Sequence, residues 1–70
     1  MNREYTALVK QEKDCWIGWI EEVPGVNCQE GTHEELMESL RTTLKEALEL
    51  NRQDALEVVG SDYTEEKVAV

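Results

Sequence analysis

Apolar positions recur with a period of two through the first third of this chain and with a helical period through most of the rest. Tyr5, Ala7 and Val9 share one face of a first strand, Tyr5–Val9, while Thr6, Leu8 and Lys10 share the other. Gln11–Asp14 is a polar connector of hairpin length, without a glycine to define its turn. Cys15–Glu21 is a second strand, with Trp16, Gly18 and Ile20 facing one way and Cys15, Ile17 and Trp19 the other. Large apolar groups on both faces make this strand central. One face packs on a helix; the other is covered by a second subunit or only by side chains within the sheet. Gly18, among aromatics, signals a bulge or a neighbour's large side chain lying over it.

The stretch from residue 22 to residue 35 organises the rest of the chain. Val23-Pro24-Gly25-Val26 reads as a type II turn: proline presets φ at the second position and glycine supplies the positive φ at the third. Val26–Glu30 is a short third strand with Val26 and Cys28 on one face. Gly31 breaks it, and Thr32 with Glu35 forms a capping box in which the Glu35 carboxylate reaches back to the Thr32 amide.

A helix begins at His33. Leu36, Met37, Leu40, Leu44, Ala47 and Leu48 fall in one stripe, with Glu35, Thr42, Glu46 and Glu49 opposite. Glu34 and Glu35 suit the positive end of the helix dipole, and Lys45 can pair with Glu49 one turn on. The helix is expected over 33–51 and on through 52–59. Ala55, Val58 and Val59 return to the stripe and carry it on to a C-cap at Gly60; Asn51 within the stripe and Asp54 at its edge argue instead for a break near 51–54. After a polar connector, Glu65–Val70 is the last expected strand. The expected fold class is therefore α/β (α+β), in one domain. A three-stranded antiparallel meander carries one long helix on one face, and a crossover returns a fourth strand parallel to the first, in the order β-β-β-α-β.

The 70 residues carry 16 acidic and 7 basic side chains, a net charge of −9. That balance argues against direct nucleic-acid binding, which needs lysine and arginine clusters. It suits a basic protein partner, and equally plain solubility. A domain this small buries only about 60% of its unfolded surface, so self-association would help it. Two cysteines are too few for a secreted disulfide scaffold, no apolar run approaches a membrane span, and the N-terminus has no apolar leader core. A reducing cytoplasm is the expected compartment.

Nothing in the sequence is a catalytic motif. Cys15, Cys28 and His33 are the soft metal ligands, but the cysteines lie 13 positions apart with no C-x-x-C, and buried cysteines commonly serve as small hydrophobes. His33 reads as a solvent-exposed helix-start residue, and Glu35 is already used by the cap. No acidic cluster on neighbouring strand ends points to a two-metal nuclease. No cofactor is expected. Trp16 and Trp19 lie on opposite faces, so one belongs to the core and the other is a partly exposed packing residue or an interface anchor; for Trp16 interface and plain packing read equally well. Leu50 and Leu56 fall off the helix stripe and are candidates for a second contact surface.

The Tyr5-led strand and the aromatic strand, then Val23-Pro24-Gly25-Val26, Cys28-Gln29, Gly31-Thr32, Glu35-Leu36 and the Leu40/Leu44/Glu46-Ala47-Leu48 helix, resemble the HicB antitoxin family over nearly the whole chain. The resemblance implies a partial ribonuclease-H-like fold without nuclease activity. It also implies the antitoxin half of a toxin–antitoxin pair, acting by protein–protein contact on HicA, a small basic ribonuclease that cleaves messenger RNA. The chain looks like a short form that stops before the C-terminal DNA-binding segment of many HicB proteins, so no operator binding is expected of it. A homodimer or larger assembly is expected. The residues expected at the partner surface are Trp16, Trp19, Glu34, Glu38 and Glu49, chosen on physical grounds. A solitary HicB-like module that binds a small ligand or another protein is the alternative.

Overall fold

The computed structural model describes residues 4–69. Three strands, β1 (Ala7–Glu12), β2 (Cys15–Ile20) and β3 (Asn27–Glu30), are followed by one helix, α1 (His33–Val59). The sheet order is β1-β2-β3, and both pairs are antiparallel. The first hairpin runs later in sequence than the alternation suggested: Gln11 and Glu12 pair with Trp16 and Cys15, so the connector shrinks to Lys13-Asp14. Their polarity hid them because β1 is an edge strand whose end no helix covers.

The proline-glycine turn forms as its sequence requires. Gly25 adopts φ 93°, and the Val26 amide donates to the Val23 carbonyl at 3.3 Å. At the helix start the Glu35 amide donates to Thr32 Oγ1 at 3.1 Å. The reciprocal bond differs from the expected capping box: the Glu35 carboxylate accepts from the Thr32 hydroxyl, at 3.0 Å, and not from its amide.

Gly18 shows which face of the sheet the helix covers. A Cβ placed on it would lie 2.8 Å from Leu40 Cδ1 and 3.1 Å from Leu36 Cδ2. The register across Gly18 is continuous, Val9 to Gly18 to Cys28. The glycine therefore admits two leucines from the helix, and no bulge is present. Ile20, Val26, Leu36 and Leu40 are the buried core, ringed by half-buried Tyr5, Ala7, Trp16, Val23, Cys28, Leu44 and Ala47. The helix packs on β2 and β3.

The fourth strand is a correction. Among the described residues no strand follows α1, and residues 60–69 are all exposed. The helix shows no break at 51–54 and continues to Val59, where the Gly60 amide donates to the Leu56 carbonyl at 3.0 Å. This length is why no strand returns. A helix of 27 residues is about 40 Å long, while the strands span about 20 Å. Ala47 is the last helical residue packed on the core, so the remainder overshoots the sheet. Most of the chain after Gly60 would be spent retracing that overhang before it could reach β1. The molecule is accordingly elongated, 52 × 23 × 16 Å. Val70, the end of the expected strand, and Met1–Arg3, at the N-terminus where no leader is expected, lie outside the described residues.

Candidate functional site

The two tryptophans part as the alternation of β2 requires. Trp16 lies on the helix side, half-buried against the core, with its ring edge-to-face on His33 at 5.1 Å between centroids. That geometry is a favourable aromatic arrangement, and it makes Trp16 a brace at the helix start. Trp19 lies on the outer face and is 42% exposed, opposite Leu8, which is 46% exposed. Ile17 and Cys15 continue this face, half-buried, and Gln29 Nε2 lies 3.3 Å from Cys15 Sγ. Of the two, Trp19 is therefore the one available to a partner.

Glu34, Glu38 and Glu49 are all exposed on α1. Glu34 and Glu38 are one turn apart. Glu49 stands about 16 Å further along the axis, so the three form a line and not a cluster. The helical period places Arg41 and Lys45 on the same stripe between Glu38 and Glu49, and Arg52 just beyond Glu49. The expected Lys45–Glu49 ion pair does not form: Glu49 Oε1 accepts from Gln53 Nε2 at 3.1 Å. The ion pair found among the described residues is Lys10–Glu12, at 3.6 Å on the outer sheet face. Leu50 is exposed and Leu56 half-buried.

Polar contacts between four residue pairs hold these surfaces in place, and none stood out in the sequence. Ser39 Oγ donates to Glu30 Oε2 at 2.6 Å, and Thr43 Oγ1 lies 3.4 Å from Cys28 Sγ. Ser39 and Thr43 are one helical turn apart and stitch α1 to β3. The Thr6 amide and hydroxyl both donate to the Glu22 carboxylate, at 2.8 and 2.7 Å, and the Glu21 amide donates to the Thr6 carbonyl at 2.9 Å. The Thr6 backbone bond, then the Thr6 hydroxyl, hold the Glu22 carboxyl below the usual carboxylate range. A threonine preceding an edge strand and a glutamate beside the next turn were the available signal, but it spans 16 positions.

An open groove of about 220 Å³ lies between β1 and α1, lined by Tyr5, Ala7, Ile20, Met37, Leu40 and others. It is shallow and carries one cationic side chain, Arg41. Cys15 and Cys28 are free thiols on opposite faces of the sheet. Among the described residues, no group of three or more His, Cys, Asp or Glu is placed to hold a metal ion, and no helix is long and apolar enough to cross a membrane.

What the arrangement offers, among the described residues, is two contrasting surfaces, an apolar sheet face and a charged helix. No protein-family model, no curated protein and no solved structure matches the chain.

Proposed function

We propose that this chain is a HicB-like antitoxin that neutralises a small basic HicA-type ribonuclease by protein–protein contact in the cytoplasm, without catalysis of its own. The observation that carries the reading is the charge of the exposed helix. Between His33 and Val59 it bears seven acidic residues against three basic ones, on a chain of net charge −9. Such a field steers a basic partner into encounter and disfavours nucleic acid. Glu34, Glu38 and Glu49 are the contacts proposed on the helix. Trp16 acts indirectly by bracing its start.

The test is co-expression with the small basic protein encoded beside this chain, followed by size exclusion with mass measurement. A mixed complex that weakens with salt, together with relief of the growth inhibition caused by the partner alone, is the expected result. Lysine at Glu34, Glu38 and Glu49 together should weaken the complex at least about tenfold. A neighbouring basic protein that neither binds nor inhibits growth would overturn the reading. The groove beneath Tyr5 favours the second reading, a solitary module taking a small apolar ligand, which would then be found without any toxin.

A further inference from the structure

We infer that the free edge of β1 is a docking site for an extended peptide of another protein, apolar at alternate positions and basic at its C-terminal end, which pairs with β1 along its backbone. The inference does not depend on the antitoxin reading, whose contacts are on the helix.

The backbone is the recognition element. The Glu21 amide donates to the Thr6 carbonyl at 2.9 Å, and the register continues through Leu8–Trp19 and Lys10–Ile17. Bonded pairs alternate in an antiparallel ladder, so Thr6, Leu8 and Lys10 turn their backbone groups toward β2. Ala7, Val9 and Gln11 turn theirs outward, where no strand lies among the described residues. Sheet edges are ordinarily blunted by proline, a bulge, brevity or a covering element. β1 keeps an unbroken register over six residues without proline, and α1 packs on β2 and β3 instead. β3, at the other edge, has four residues and lies against the helix.

The side chains say which peptide fits. A strand about 4.8 Å beyond β1 would set its helix-side residues beside Ala7, Val9 and the exposed Met37, along the open side of the groove. Apolar groups there extend the core of Ile20 and Leu40. On the outer side the Thr6 end is acidic: Glu21 lies opposite Thr6, and the Glu22 carboxylate accepts from the Thr6 hydroxyl at 2.7 Å. Lys10 stands about 13 Å along the strand and is already paired with Glu12. A cation therefore complements the Thr6 end. Antiparallel pairing, the slightly more stable kind, brings the C-terminal residues of the peptide to it.

The same charges turn away a second copy. Two β1 strands paired through all three outward residues would centre on Val9 and set Glu12 of each opposite Thr6 of the other. Each Glu12 would then meet the carboxylate that Thr6 holds, and like charges across a ladder are destabilising.

The probe is a blocked synthetic peptide of alternating valine and threonine that ends in two arginines. It is titrated into the isotope-labelled chain to about 1 mM while amide signals and exchange are followed. The expected response alternates. The amides of Ala7, Val9 and Gln11 shift and gain at least about tenfold protection, while those of Leu8 and Lys10, bonded to β2 already, change little. Glu21→Gln should weaken binding about twofold or more. Val9→Pro removes an outward amide and leaves the bonds to β2 in place, so it should abolish binding. Should that variant lose its circular dichroism, the peptide methylated on its β1-facing amides makes the same test on the intact fold and should not bind. No binding at the highest concentration, shifts without the alternation, or full binding by the methylated peptide would each overturn the inference. Protection of Ala7, Val9 and Gln11 in the chain alone would give the edge to a second copy or to the chain's own tail, and would equally overturn it. No toxin enters the experiment, so the antitoxin reading keeps its own test.

Discussion

Leu40 Cδ1 stands 2.8 Å from the point where a Cβ on Gly18 would sit, so the helix lies on the central strand at a distance only glycine allows. Leu36 and Leu40 are the largest fully buried side chains, and a methyl group on Gly18 would have to displace their Cδ ends. Gly18→Ala should therefore destabilise the fold by about 1–3 kcal/mol through overpacking, against the small gain usually expected when glycine is replaced in a strand. Urea denaturation measures it. An unchanged or raised midpoint would mean that the helix can ride outward without loss.

Ser39 is the polar stitch between helix and edge strand. Its hydroxyl gives the Glu30 carboxylate a 2.6 Å bond in a half-buried setting. Ser39→Ala should cost about 1–2 kcal/mol, because a carboxylate then loses a partner it cannot fully replace with water. Thermal unfolding at neutral pH reads the loss. The same substitution at Thr42, which is exposed on α1, should change stability little.

Glu22 gives the fold an acid-sensitive clamp. Its folded carboxyl is held below the usual range by the Thr6 bonds, so its contribution is complete above the unfolded carboxylate value of about 4.3. That contribution is lost as pH falls through the lower folded value. The gap in melting temperature between the wild type and Glu22→Gln should be largest at neutral pH and close as the solution is acidified below about pH 4. A gap that stays constant down to about pH 3 would assign the effect to shape and not to charge.

The parts of the fold that were legible in the sequence are those written in neighbouring residues. Pro24-Gly25 fixed its own turn, Thr32 accepted from the Glu35 amide, and the alternation of β2 separated Trp16 from Trp19. Legibility failed where an element's fate depended on something distant. Gln11 and Glu12 look like loop but belong to an edge strand, because pairing with β2 does not require an apolar side chain. Val68 and its neighbours look like strand but find no ladder, because Asn51 and Asp54 did not stop the helix and the chain was carried past the sheet. Of the candidate surface residues, exposure of Trp19 depended on which side the helix chose, the side marked by the two leucines over Gly18. The Ser39–Glu30 and Thr6–Glu22 bonds cross 9 and 16 positions between common residue types, a distance at which pairs carry no local signature.

The helix is, mechanically, two objects joined end to end: a rib seated on the sheet up to Ala47, and a rod beyond it that touches nothing of the core. A free segment of that length would rarely hold helical form in water. It persists here because the rib supplies the nucleus and each further turn only has to propagate. The rod is thus borrowed order. Its amide protons should exchange by fraying from Gly60 inward, and those beneath Leu36 and Leu40 through opening of the whole domain.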